Sequence, residues 1–312
     1  MKLRILLTGK NGQVGAELAA ILPRLGEVAA FDRHELDLSK PDHLRQAIRN
    51  VRPSLIVNAA AYTLVDQAEK EEKQAHIINV DAPALMAEEA KRIGAAMVHY
   101  STDYVFDGSS RLPYTETDKP GPINVYGKTK LAGEEAIRAV GLPHLIFRTA
   151  WVYGMRGRNF LLTILRLATE REELRVVGDQ FGAPTWSREI AKGTSRVLEQ
   201  LSQEGRETIS TFGGTYHMTA AGKTSWFEFA RAILEEASRM PRSVPWFETA
   251  TKGQSLVTRR VTAITTEEYP TPARRPAYSV LSNSRVKHNF ALELPAWSLQ
   301  LREVFAGGRI NG

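Results

Sequence analysis

Cysteine is absent from this chain of 312 residues, which excludes disulfides and thiolate metal sites and fits a cytoplasmic protein. Long apolar runs are missing too. No stretch approaches the roughly 18 consecutive apolar residues of a membrane-spanning helix, so no membrane partner is expected. The opening residues give a basic start and a few apolar positions, but that run is too short for a signal peptide and stops at Gly9. Charge of one sign is also lacking: Lys and Arg total 41 against 35 Asp and Glu, a formal net charge of +6. The basic residues are scattered, with only short pairs at Arg259-Arg260 and Arg274-Arg275. That argues against a nucleic-acid partner and for a surface attracting small phosphorylated ligands. Repeats and low-complexity segments are absent. With 43% hydrophobic and 24% charged residues the composition is that of an ordinary globular protein, not a disordered one.

What is present is alternation. Arg4–Thr8, Glu27–Asp32, Ser54–Ala59, Ala95–Ser101 and His144–Arg148 read as short apolar strands. Gly15–Leu22, Pro41–Val51, Asp81–Ile93 and Tyr126–Val140 read as helices between them, with Ser39 and Asp81 as N-caps of the second and third. Such a pattern predicts an α/β fold: a doubly wound parallel sheet of Rossmann type, covered by helices on both faces. After Trp151 the pattern loosens. Helices are expected at Asn159–Glu170, Ser187–Gln203 and Ser225–Ser238, between loops rich in Gly and Pro. The expected organisation is a cofactor domain over 1–150. Residues 151–312 form mainly a smaller C-terminal substrate-binding lobe, partly interleaved with the first domain.

Gly9-Lys10-Asn11-Gly12-Gln13-Val14-Gly15 follows the first strand and opens the first helix. Glycine permits a tight turn and close backbone approach, and a helix N-terminus presents N–H groups to a pyrophosphate. The spacing is one residue longer between the first two glycines than the usual dinucleotide fingerprint. Its place between strand and helix carries the reading. Asp32 ends the second strand, where a carboxylate accepts hydrogen bonds from an adenosine ribose, while the adjacent Arg33 suits a 2′-phosphate. Asp37 and Leu38 are placed to border an adenine, although Asp37 also reads as a turn or capping carboxylate. Asn58-Ala59-Ala60-Ala61 ends the third strand with side chains too small to obstruct a ribose or pyrophosphate; tight helix–sheet packing asks for the same residues.

Tyr126-Gly127-Lys128-Thr129-Lys130 places a tyrosine and a lysine four apart at the start of a helix, on one face. An ammonium near a phenol favours the phenolate and lowers its pKa, which suits an acid/base pair. Upstream, Ser101-Thr102-Asp103-Tyr104-Val105-Phe106-Asp107-Gly108 leaves the C-terminal end of a strand, the edge where open α/β sheets bind ligands. Thr102 can offer a hydroxyl to a substrate carbonyl, and Asp103 can orient substrate hydroxyls.

With those residues in place, the chain resembles the extended short-chain dehydrogenases/reductases, and among them the dTDP-4-dehydrorhamnose reductases. The resemblance rests on the glycine loop, the Asn58–Asp66 stretch, the Ser101–Gly108 run, Tyr126–Lys130 and Arg148-Thr149-Ala150-Trp151-Val152-Tyr153-Gly154. Gly182-Ala183-Pro184-Thr185 and Arg275-Pro276 add to it. It implies that Tyr126 is the proton donor, Lys130 its electrostatic partner and holder of the nicotinamide ribose, and Thr102 the stand-in for the superfamily's serine. Gly12, Gln13 and Val14 would present N–H groups to the pyrophosphate, Asp37 and Leu38 would border the adenine, and Ala61, Tyr62 and Thr63, after Ala60, would line the nicotinamide half. Thr102, Asp103 and Trp151 would contact the sugar, with a core tryptophan the competing reading for Trp151.

The implied reaction is reduction of the C4 keto group of dTDP-4-dehydro-L-rhamnose to dTDP-L-rhamnose. The expected cofactor is NADPH, with NADH also accepted because Asp32 opposes Arg33 and Lys10. Two alternatives accompany it: a nucleotide-sugar epimerase or dehydratase of the same superfamily, and a non-catalytic subunit related to the regulatory subunit of methionine adenosyltransferase. No metal is expected. Some members of the resembled family hold an interface magnesium through several glutamates; Glu17 and Glu189 match two of them, but Ser298 stands where a third would be. A monomer or weak homodimer is therefore expected.

Overall fold

The computed structural model describes residues 3–203, 211–241 and 243–307. The first half runs β1 (Leu3–Thr8), α1 (Gln13–Ile21), β2 (Gly26–Phe31), α2 (Pro41–Val51), β3 (Leu55–Asn58), α3 (Val65–Ala68), α4 (Glu72–His76), α5 (Ala82–Ile93), β4 (Ala96–Thr102), α6 (Val125–Val140) and β5 (His144–Thr149). The second half adds β6 (Val152–Tyr153), α7 (Phe160–Glu170), β7 (Glu173–Val177), β8 (Phe181–Gly182), β9 (Thr185–Trp186), α8 (Ser187–Gln203), β10 (Gly214–His217) and β11 (Thr224–Ser225). It closes with α9 (Trp226–Ser238), α10 (Pro245–Thr251), β12 (Arg260–Ile264), α11 (Ser284–Phe290) and α12 (Trp297–Gly307).

The main sheet has six strands in the order β10-β5-β4-β3-β1-β2. Every pairing in it is parallel. Its strands alternate between two cores, as the two-residue period of a strand requires. Ile5, Leu7, Val57 and Val98 face α1, α8 and α11 through Leu18, Ile190, Leu198 and Phe290. Leu6, Ile56, Met97 and Ile146 face α2, α5 and α6 through Leu44, Ile48, Met86 and Ile137. Because β2 and β3 leave β1 in opposite directions, a crevice opens at the C-terminal ends of β1 and β3, the usual ligand position in such sheets. A separate aromatic and aliphatic core, including Phe229, Ile233, Leu165 and Phe305, sits under α7, α9 and α12.

Two expected caps are corrected. Ser39 does not cap α2: Lys40 holds the N-cap position, and the Ser39 hydroxyl donates to Asp37 at 2.7 Å. Asp81 has helical backbone angles and makes no side-chain cap, because α5 continues from α4 through a π turn at Ile77–Asp81. Asn159 and Ser225 are true caps, accepting from the N–H groups of Leu162 and Glu228 at 3.1 Å each. The sixth strand, β10, is new: it returns from the second half to pair with β5. The parallel pair β7–β12 was also outside the sequence pattern.

Candidate active site

A cleft of about 670 Å³ lies at the crevice, running from the glycine loop to Tyr126 and Lys130. The loop is shaped by its glycines. Gly9 has φ +77, and a Cβ there would come within 2.9 Å of the Ala60 nitrogen; one on Gly15 would sit 2.0 Å from the Gly9 carbonyl oxygen. Gly12 occupies the N-cap of α1 with no side chain capping the first turn, so the N–H groups that Gln13, Val14 and Gly15 contribute remain oriented for an anion. The Gln13 side chain is engaged elsewhere, accepting from Asn159 Nδ2 at 2.9 Å.

Asp32, Arg33, Asp37, Leu38, Ala60, Ala61, Tyr62 and Thr63 all line this cleft. Asp32 is already committed locally: Oδ1 accepts from the His34 and Glu35 N–H groups at 2.8 and 3.1 Å, and Oδ2 from Asn11 at 2.9 Å. The Glu35 N–H above all holds its carboxyl below the usual range. Lys10 is paired with Glu35 at 2.6 Å. Asp37 is both turn carboxylate and cleft wall, accepting from the Ser39 N–H at 3.0 Å. Sequence reasoning missed Asn79. Fully buried on the π turn, it accepts from the Tyr62 N–H at 2.9 Å and donates to the Tyr62 carbonyl and the Thr129 hydroxyl, each at 3.1 Å. It thus clamps the 60–63 loop to α6. A polar residue on the buried side of a helical run was the available signal.

At the other end, α6 starts where Asn124 sets it: Oδ1 accepts from the Gly127 N–H at 2.7 Å, while Nδ2 donates to the Arg274 carbonyl at 2.7 Å. Tyr126 therefore falls in the first turn and Lys130 one turn later. The cleft wall here is Ser101, Tyr126, Lys130 and Thr149. Thr102 and Asp103, 5% and 2% exposed, sit against Tyr126 instead of in that wall. Thr102 Oγ1 donates to Asp103 at 3.0 Å and accepts from the Tyr104 N–H at 3.1 Å.

The expected depression of the phenol pKa is not what these surroundings produce. Burial pushes Tyr126 up to about 12, with Asp103 adding and Thr102 opposing. Lys130 Nζ instead donates to the Tyr100 carbonyl at 2.7 Å and lies 3.1 Å from His99 Nε2. Burial lowers Lys130 to about 8, against the pull of Glu134. Burial likewise raises Asp103 to about 6.

The residues fit a nicotinamide dinucleotide. The first turn of α1 is uncapped, side chains at Gly9 and Gly15 would collide with the loop, and the buried Thr149 hydroxyl faces the cleft without a protein partner among the described residues.

Trp151 lies outside the cleft wall. It is half-buried with φ +47, stacked on Trp226 at 3.4 Å, and so close over Gly182 that a Cβ there would meet its ring at 2.3 Å. Arg275 grips Asp66 through two hydrogen bonds, 3.0 and 2.7 Å, and Gly108 packs where a Cβ would be 2.6 Å from Pro276. Glu17 is paired with Arg188 at 3.0 Å and Glu189 with Lys192 at 2.6 Å. No group of three potential metal ligands occurs among the described residues. A more open hollow of about 810 Å³ between α9 and β12 contains none of this Tyr/Lys chemistry.

Comparison with known proteins gives one consistent answer. The family model described as the RmlD substrate binding domain matches residues 2–309. The dTDP-4-dehydrorhamnose reductase of Burkholderia thailandensis is 48% identical over 295 residues, 95% of each chain, and that of Escherichia coli K12 is 43% identical over 97% of each. The crystal structure of dTDP-4-dehydrorhamnose reductase from Bacillus anthracis in complex with NADP superposes with a TM-score of 0.85 at 35% identity, covering 98% of this chain and 100% of that one. With its Tyr/Lys pair and glycine loop on one parallel-sheet cleft, the chain belongs to the dTDP-4-dehydrorhamnose reductase family of short-chain dehydrogenases/reductases.

Proposed function

We propose that this protein reduces the C4 keto group of dTDP-4-dehydro-L-rhamnose to give dTDP-L-rhamnose, using NADPH and also accepting NADH. The observation that carries the reading is the joining of Tyr126 and Lys130, with Thr102 beside them, at one end of a cleft whose other end is the glycine loop. We assign residues 1–150 to cofactor binding and 151–312 mainly to the substrate, with β10 returned to the first sheet. A cytoplasmic monomer or weak homodimer without an interface metal completes the proposal. No helix among the described residues is long and apolar enough to cross a membrane.

In this reading Gly9, Gly12 and Gly15, with the N–H groups of Gln13 and Val14, hold the pyrophosphate. Asp32, Arg33, Asp37 and Leu38 surround the adenosine, and Ala60, Ala61, Tyr62 and Thr63 the nicotinamide half. The bound nicotinamide supplies the hydride. The chain supplies the proton and the geometry. A phenol held up at about 12 stays protonated at neutral pH, so Tyr126 is loaded as a donor for the oxygen that becomes an alkoxide. In this assignment the Thr102 hydroxyl turns its hydrogen from Asp103 to the same oxygen, and Asp103 and Trp151, which stand outside the wall of the cofactor cleft, orient the sugar beyond it. The phenolate left behind is stabilised by the Lys130 charge.

The test is to offer the purified protein nucleotide-linked 4-ketosugars with NADPH and NADH and to identify the products. Tyr126→Phe should keep fold and cofactor affinity while lowering turnover by ~10²-fold or more. Near-normal turnover of that variant sinks the mechanism.

A further inference from the structure

Next to the Tyr126/Lys130 pair, a chain of hydrogen bonds crosses the sheet. Lys130 Nζ lies 3.1 Å from His99 Nε2, and His99 Nδ1 lies 3.0 Å from Asn58 Nδ2. Asn58 Oδ1 in turn accepts from the Thr8 hydroxyl at 2.7 Å and from the Ala60 N–H at 3.2 Å. These side chains come from α6, β4, β3 and β1, and none of the four is more than 2% exposed. His99 and Asn58 also lie outside the cleft lining, so a mismatch between those two has no water to repair it.

Counting hydrogens constrains the chain. A protonated His99 has two N–H groups and no acceptor, and it would face the Asn58 amide as it is oriented here, and a charged Lys130, as donor against donor. His99 is therefore neutral; burial first, and then the Lys130 charge, holds its pKa well below the ordinary value. In one arrangement the Ala60 N–H fixes the Asn58 amide, whose Nδ2 donates to His99 Nδ1. The ring hydrogen is then on Nε2 and points at the lone pair of a neutral Lys130 amine. An ammonium is compatible only with the opposite tautomer. It donates to Nε2, the Nδ1–H seeks an acceptor, and the Asn58 amide turns over to offer Oδ1. Its Nδ2 then donates to the Thr8 hydroxyl, and the Ala60 N–H, whose residue lines the cleft, is released.

We propose that His99 is a positioning residue of the reaction: its tautomer passes the charge state of Lys130 to the Asn58 amide and so sets whether the Ala60 N–H is free to meet a ligand. The inference rests on the reading of Lys130 as the partner of Tyr126. Net, one proton enters from the cleft and stays on Lys130; the ring keeps one proton throughout and only its position changes. Of the charged and titratable groups, Glu134 on α6 and His99 on β4, beside the Tyr100 carbonyl, bear on Lys130, and Tyr126 stands one turn before it on the same helix. Glu134 is itself held by Arg148 of β5 at 2.7 Å and by Arg138 at 3.1 Å. Asp103 bears on Tyr126.

The experiment is a histidine ¹⁵N NMR titration of the full chain from about pH 6 to about pH 10, the range that spans histidine and a depressed lysine. His99 is assigned by its loss in His99→Gln. The Nδ1–H tautomer should give way to the Nε2–H tautomer with a midpoint near the Lys130 value of about 8, never passing through imidazolium, and Lys130→Met should abolish the switch. In steady-state reduction, His99→Leu should move the alkaline limb of kcat/KM to lower pH by about one unit, because the ammonium loses a stronger bond than the amine does. His99→Gln, which can accept from the ammonium, should restore the limb.

A single tautomer throughout, or a His99→Leu limb superposed on that of the unaltered protein, overturns the proposal. If His99→Leu does not fold, the NMR titration of the unaltered chain decides alone. A fixed tautomer with an inactive Tyr126→Phe removes this inference and leaves the site reading standing. Normal turnover in Tyr126→Phe removes the site reading itself.

Discussion

Gly127 lies between the two residues of the Tyr/Lys pair, and a side chain there has no room. A Cβ would stand 2.2 Å from the Tyr104 carbonyl oxygen and 3.0 Å from Pro122 Cβ. Opening 2.2 Å to an ordinary 3.4 Å contact requires a shift of about 1.2 Å between α6 and the turn after β4. Neither side yields freely. Asn124 holds the Gly127 N–H at 2.7 Å, and Thr102 holds the Tyr104 N–H at 3.1 Å. The two segments forced apart carry Tyr126 and Thr102. A misplacement of ~1 Å costs ~10²-fold in rate, about 2.7 kcal/mol of transition-state stabilisation. The fold should survive, since overpacking costs ~1–3 kcal/mol and alanine returns ~1 kcal/mol over glycine inside a helix. Gly127→Ala should therefore lower kcat by ~10²-fold while changing the melting temperature only modestly. The assay is NADPH oxidation with the ketosugar, with cofactor affinity measured separately by fluorescence. Gly121→Ala, whose Cβ would meet only Asp107 Cβ at 3.6 Å, is the control. A kcat for Gly127→Ala within about threefold of the unaltered protein would refute the claim that the seating of α6 on Tyr104 sets the reacting geometry.

Arg33→Ala should weaken NADPH by roughly tenfold and NADH far less, because Arg33 lines the cleft while Lys10 is already paired with Glu35. Equal losses in the two cofactor titrations would show that the guanidinium does not serve a 2′-phosphate. Asp103→Asn should stabilise the protein at neutral pH. Burial raises the Asp103 carboxyl from 3.8 to about 6, so its contribution to stability is fully present below pH 3.8 and is lost as the pH rises through about 6. The advantage of the variant in urea unfolding should grow by roughly 3 kcal/mol across that window. A pH-independent difference would contradict a carboxyl buried in this way.

The parallel sheet was legible because its strands are buried on both sides. Ile5, Leu6 and Leu7 are consecutive apolar residues that fill two different cores, and only a covered strand reads that way. The Tyr126/Lys130 spacing and the glycine loop were legible because local backbone geometry alone dictates them. The strand at Gly214–His217 was not, since its partner β5 is far away in sequence and four residues give too little pattern. Ser39 and Asp81 misled for a related reason. Each is a capping residue type just before a helical run, but Asp37 captured the first and the π turn carried the helix through the second.

The least legible part is the polar frame around the reacting pair, and the reason is physical. A buried His99 or Asn79 interrupts an apolar pattern by one residue and gives no sign of its partner, which lies on another element. The same holds for Arg275. Its link to Asp66 spans most of the chain, and alongside it Pro276 packs onto Gly108 at the end of the Ser101–Gly108 run. These contacts place the turn after β4, the 60–66 loop and α6 against one another, and Tyr126 and Thr102 stand on two of those three segments. Burial then acts on whatever has been brought together, raising the phenol and the Asp103 carboxyl and lowering the lysine. A spacing rule can put a lysine beside a tyrosine, but the proton each one holds is set by the non-local frame. That is why the expected lowering of the Tyr126 pKa was reversed while the position of Tyr126 stood.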